Sequence, residues 1–167
     1  MYPADLPRNR AQQIASRGSP EGWASLAAIW TRLYIESASG WERWPAVRRP
    51  LRVALVESLD VAAGSGTTTD RAGLADDLER VVPEDDGSSA WQHLIDLVSM
   101  LGDVLRGRTL EDTAERAVTW FLEGRSTVLA NDRAARDGRG TISVADARRE
   151  LADDPAWARA RSWIEAV

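Results

Sequence analysis

The stretch from Ser88 to Gly107, SSAWQHLIDLVSMLGDVLRG, sets the terms for the rest of the chain. At about 100° per residue, Trp91, Leu94, Ile95, Val98, Leu101 and Leu105 share one face of a helix, and Leu97, Met100 and Val104 widen it. Gln92, Asp96, Ser99, Asp103 and Arg106 are left as a polar stripe at spacings of four and three. Ser89 with Gln92 three residues on has capping-box spacing, which satisfies two orphan backbone N–H groups. Gly107 supplies the stop, because a residue without Cβ closes a helix in the left-handed conformation at little cost. A helix apolar over so much of its circumference must be wrapped by others. The expectation is a central helix over 89–106.

The segments on either side supply the wrapping. Asp5 caps a first helix that ends near Gly18, and Ser19-Pro20-Glu21 combines an N-cap, a first-position proline and a first-turn acid. The helix so opened carries Trp23, Leu26, Ala27, Trp30, Leu33 and Tyr34 on one side and stops at Gly40. Trp41 to Trp44 form a bridge before Pro45. A third helix begins at Ala46 or Pro50 and ends at Ala63, with Leu51, Ala54, Leu55, Leu59 and Ala62 inward. GSGTTTD, residues 64–70, is a loop; Thr69 or Asp70 then caps a short helix carrying Leu74, Leu78, Val81 and Val82, which Pro83 ends. Glu84-Asp85-Asp86-Gly87 turns into the central helix.

Beyond Gly107, Thr109 with Asp112 opens a helix read through Gly124 to about Ala135. Asp137 to Gly140 is a turn, Ser143 with Asp146 caps another helix, and Asp154-Pro155 opens the last, with Trp157, Ala160 and Ile164 inward. No segment alternates with period two, and no repeat appears. The expected architecture is an all-α, single-domain bundle of about seven or eight helices spanning 1–167.

The side chains present exclude much chemistry. The chain has no cysteine, so there is no thiol nucleophile and no disulfide framework, in keeping with a reducing cytoplasm. All 21 basic residues are arginine, and without lysine there is neither a Schiff base nor a GxxxxGK[ST] phosphate loop. A single histidine rules out a multi-histidine zinc site within one chain. The opening MYPADLPRNR has no apolar signal core, no run is long enough to span a membrane, and no cofactor motif occurs. His93 with Asp96 one turn on reads either as a base with its orienting carboxylate or as an ordinary half-buried histidine. Asp96 and Asp103 lie two turns apart, about 10.5 Å along the axis, too far to share one metal without acids from a neighbouring helix. Asp76-Asp77-x-Glu79 and Asp112-x-x-Glu115 could hold magnesium or manganese in a nucleotide hydrolase, but first-turn acids also favour the helix dipole.

Two features point outward. Residues 53–103 carry eleven acids against two arginines, within a chain of net charge −5. Such a middle repels nucleic acid and suits capture of a basic protein, with solubility as the alternative reading. Of the eight tryptophans, Trp41 and Trp44 lie off the apolar stripes, where an exposed aromatic patch marks a protein interface.

The run Leu78-Glu79-Arg80-Val81-Val82-Pro83-Glu84-Asp85, then Ser88-Ser89 and an apolar helix, resembles the YjaG-like family of small all-helical bacterial proteins. The acidic helix, proline and final helix from Glu150 to Val167 resemble that family's C-terminal pattern. The resemblance implies a fold and no catalytic residue. The expectation is a cytoplasmic, non-enzymatic protein that binds a basic partner, such as an immunity protein against a toxin. Asp76, Asp77, Glu79, Glu84, Asp85, Asp86, Trp41 and Trp44 would make the contact. A carboxylate-dependent magnesium or manganese hydrolase of nucleotides and a homodimeric structural module using the Trp41/Trp44 region are the alternatives.

Overall fold

The computed structural model describes residues 5–36, 43–65, 70–108, 137–138, 149 and 155–167. Among these residues it is all helical: α1 (Asp5–Ser16), α2 (Pro20–Glu36), a 3-10 turn (Pro45–Val47) running into α3 (Arg48–Ala62), α4 (Arg71–Arg80), α5 (Ser89–Leu105) and α6 (Pro155–Ala166). The helices expected over 109–135 and from Ser143, and residue Trp41, lie outside the described residues.

Local chemistry fixes the helix ends. Ser19 Oγ accepts the Gly22 N–H (3.0 Å) at the start of α2, and Asp70 Oδ1 accepts the Gly73 N–H (2.9 Å) at the start of α4. Both caps satisfy a donor that the first turn leaves without an intrahelical acceptor. Asp5 lies inside α1 rather than before it. The proline-rich entry to α3 resolves into a 3-10 turn plus helix, with Pro50 in the first turn, where its missing N–H deprives the helix of nothing.

The cap of α5 corrects the sequence expectation. Ser88, not Ser89, is the N-cap, and its Oγ accepts the Trp91 N–H at 3.1 Å. With the frame moved by one residue, Gln92 no longer sits where a capping box needs it, and its amide donates to Asp96 instead (3.0 Å). The other end follows expectation: Arg106 closes α5 and Gly107 takes φ +66°, a region a side chain rarely adopts.

α2 is enclosed more completely than its one-sided pattern implies. Trp23, Ala24, Leu26, Ala27, Ala28, Ile29, Trp30, Thr31, Leu33 and Tyr34 are all buried, and α2 lies against α1, α3, α5 and α6. Its alanines let neighbouring backbones approach on several sides, and buried Thr31 returns its hydroxyl to the Ala27 carbonyl (2.7 Å). α5 packs against α2, α3 and α4, burying Leu94, Leu97, Val98, Met100, Leu101, Val104 and Leu105. Ile164 anchors α6 in the same core, while Arg32 of α2 lies over the Trp163 ring at 4.5 Å and Arg159 pairs with Glu36 at 2.7 Å.

α3 departs most from its expected orientation. Leu51 and Ala54 are buried, but Leu59 is 40% exposed, and Glu57 and Ser58 are buried in its place. Glu57 is accepted inside because Arg71, at the start of α4, reaches it (3.4 Å) and also the Ser65 carbonyl (3.2 Å). Packing against α2 and α4 has therefore rotated the helix enough to carry Leu59 outward, beside Val53 and Val56, which lie on the side away from Leu51.

Candidate functional site

The acidic residues of α4 and the turn that follows it are all exposed, yet most are held by arginines of the same chain. Asp76 and Glu79 lie not in the first turn of α4, as expected, but in its second half; one helical turn apart, they both receive Arg106 from the end of α5, at 2.6 Å and 2.7 Å. The guanidinium crosses to them over Gly102. A Cβ there would lie 2.8 Å from Arg106 Nη1, so the glycine makes room for the clamp. The Glu79 and Asp76 hydrogen bonds raise the pKa of Arg106 further above its ordinary value. Asp77 points to the neighbouring Arg80, a pair exposed on both sides.

The turn after α4 is built from its own side chains. Asp85 accepts the Gly87 N–H (2.8 Å) and Asp86 accepts the Ser88 N–H (2.9 Å), while Gly87 takes φ +71°. The Trp91 indole N–H reaches back to the Pro83 carbonyl (2.9 Å), fastening the turn to the first turn of α5. Asp86 also pairs with Arg43 at 2.7 Å, and the same guanidinium lies 5.3 Å from the Trp44 ring centre. The hydrogen bonds from Ser88, with the charge of Arg43, hold the Asp86 carboxyl below its ordinary pKa. Glu84 is exposed at the start of this turn.

Of the residues singled out by sequence, Asp76 and Glu79 are thus joined through Arg106, and Asp86 and Trp44 through Arg43. Trp44 is half-buried against the core rather than standing free. Arg43, Arg106 and Gly102 were not expected as part of the surface. For Arg106 the one sequence trace was its place in the polar stripe of α5, four residues after a glycine in an otherwise apolar helix.

Among the described residues the carboxylates of α5 do not converge with others. Asp96 accepts from Gln92, and Asp103 pairs with Arg108 (3.4 Å), just beyond the end of the same helix. Among the described residues no group of three or more histidines, aspartates or glutamates is placed to hold a metal ion, and no helix is long and apolar enough to cross a membrane. Asp112 and Glu115 lie outside the described residues. Comparison of the chain with protein-family models, with curated proteins and with solved structures finds no match.

Proposed function

We propose that this chain is a non-enzymatic, cytoplasmic binding protein that captures a basic protein partner on the acidic surface of α4 and the turn after it, as an immunity or regulatory protein does. Asp76, Asp77, Glu79, Glu84, Asp85 and Asp86 supply the charge, with Trp41 and Trp44 as aromatic neighbours. The supporting observation is that all six acids are exposed while the arginines that neutralise most of them come from this chain. Exposed ion pairs are weakly held and screened by salt, so a partner's arginines and lysines can exchange for Arg43 and Arg80 at little cost. Complementary charge also speeds encounter. The fold-level part of the proposal is a single domain of seven or eight helices centred on 89–106, akin to the YjaG-like family. The run of buried leucines along α5 and the Val82-Pro83-Glu84 turn support it.

The test is capture from the native cell by the purified chain, beside a variant with Glu84→Gln, Asp85→Asn and Asp86→Asn. The expected result is a basic protein retained by the wild type at low salt and lost with the variant. Recovery of no protein, of acidic proteins only, or of the same protein equally by both chains would overturn the proposal.

A further inference from the structure

Three of the four large hydrophobic side chains exposed among the described residues lie on one arc of α3: Val53 (44%), Val56 (57%) and Leu59 (40%). Arg49 and Arg52 are exposed on the same arc near its N-terminal end, and Asp60 borders it near its C-terminal end. Within the arc, Arg49, Val53, Val56 and Asp60 follow one another at spacings of four, three and four. Those spacings average about 3.7 residues, close to the 3.6 of one helical turn, so the four side chains stay in line along one side of the helix, as a contact with a second helix needs.

The seam reads the same when reversed, except that its charge changes sign. A second α3 laid antiparallel sets Arg49 opposite Asp60 at both ends and Val53 opposite Val56 in the middle. A parallel arrangement would set arginine on arginine and aspartate on aspartate. The C-terminal end of α3, where carbonyl dipoles leave partial negative charge, likewise favours the arginines of an antiparallel neighbour. Glu57 does not compete for them, because it is turned inward to Arg71. We propose that α3 is the contact through which two copies of this chain associate, antiparallel and two-fold symmetric.

A two-fold contact closes on itself, so one patch serves both copies and assembly stops at the dimer. From Arg49 to Asp60 the seam is only about 16 Å long, which makes the association weak and reversible. The acidic surface of α4 takes no part in it, so this proposal and the partner proposal fail separately.

Sedimentation equilibrium of the full chain, from about 1 µM to about 1 mM, brackets an association of this size. The average mass is expected to rise from the monomer value of 18.4 kDa toward twice that figure. Val56→Arg should weaken the dimer at least about tenfold. Arg49→Asp and Asp60→Arg should each weaken it, and the chain carrying both should regain it, since the pairs then form with signs exchanged. Arg49 and Val56 are exposed, so circular dichroism should show these variants folded. A wild type that stays at the monomer mass throughout, a Val56→Arg chain that dimerises like the wild type, or a double exchange no better than the single changes would each overturn the proposal.

Discussion

α2 and α5 have the same length and both enter the core, yet they are built by different means. α2 mixes two tryptophans with buried alanines and meets neighbours on several sides. α5 presents an unbroken set of large aliphatic side chains to one side and keeps a half-covered polar edge at Asp96, Asp103 and Arg106. The contrast shows that enclosure follows side-chain size as much as hydrophobicity. Small residues admit neighbouring backbones closely, whereas the larger side chains of α5 fill the space toward α2, α3 and α4 and leave its remaining edge for polar contacts. It also explains why the ion-pair clamp sits on α5, where Gly102 provides on one spot the close approach that α2 obtains from its alanines.

The largest test of this contrast removes a side chain from α2. Trp30→Ala should cost about 3–5 kcal/mol, read from urea unfolding, because Trp30 is buried among helices that cannot all collapse into the space. Leu101→Ala on α5 should cost about 2–5 kcal/mol by the same measurement, toward the lower end if that side can close up. Ala27→Leu, an addition where α2 is enclosed, should destabilise by about 1–3 kcal/mol. If Ala27→Leu instead left the unfolding midpoint unchanged, close approach along α2 would not be what encloses it.

Smaller effects sharpen the surface half. Gly102→Ala removes a helix-destabilising glycine worth up to about 1 kcal/mol, but its Cβ meets the Arg106 guanidinium. The expected outcome is a net change well below that gain, with stability less sensitive to added salt than in the wild type. An undiminished gain with unaltered salt dependence would mean that the clamp does not need the glycine. Asp86 gives the pH test. Its folded-state pKa lies below its unfolded value, so its contribution is complete above the unfolded pKa and fades as pH falls through the folded one. Wild type and Asp86→Asn should therefore differ most near neutral pH and converge in acid, as followed by thermal unfolding. Ser58→Ala should be neutral or slightly stabilising, since Ser58 is buried and its Oγ has no hydrogen-bond partner among the described residues.

Helix class and most helix ends were legible from residue types, because a cap is a local transaction between a side chain and the next turn. Ser19, Asp70 and Gly107 each act within three or four residues of where they sit. Ser88 and Ser89 show the limit: two adjacent serines can both cap, and the choice depends on Asp86, which also uses Ser88 to close the turn. The facing of α3 was legible in part: Leu51 and Ala54 are buried and Ala62 packs against the core as periodicity places them, but Leu59 is exposed. Periodicity places Leu59 inward, but the arginine of α4 that satisfies Glu57 comes from another segment, and it is this pairing that makes burial of the opposite flank tolerable.

The surface divides in the same way. Sequence marked the acids of α4 and the turn, since charge is a property of composition and needs no partner to be counted. It did not mark Arg106 or Arg43 as their neutralising neighbours, which lie 30 and 43 residues away from Asp76 and Asp86 along the chain. Local order, from caps to helical periodicity, was thus written into the sequence by interactions spanning one turn. Which arginine meets which acid, and the exchange of Glu57 for Leu59 on the inward side of α3, were settled only when separate helices met, because pairing and burial depend on distance in space and not on order in the chain.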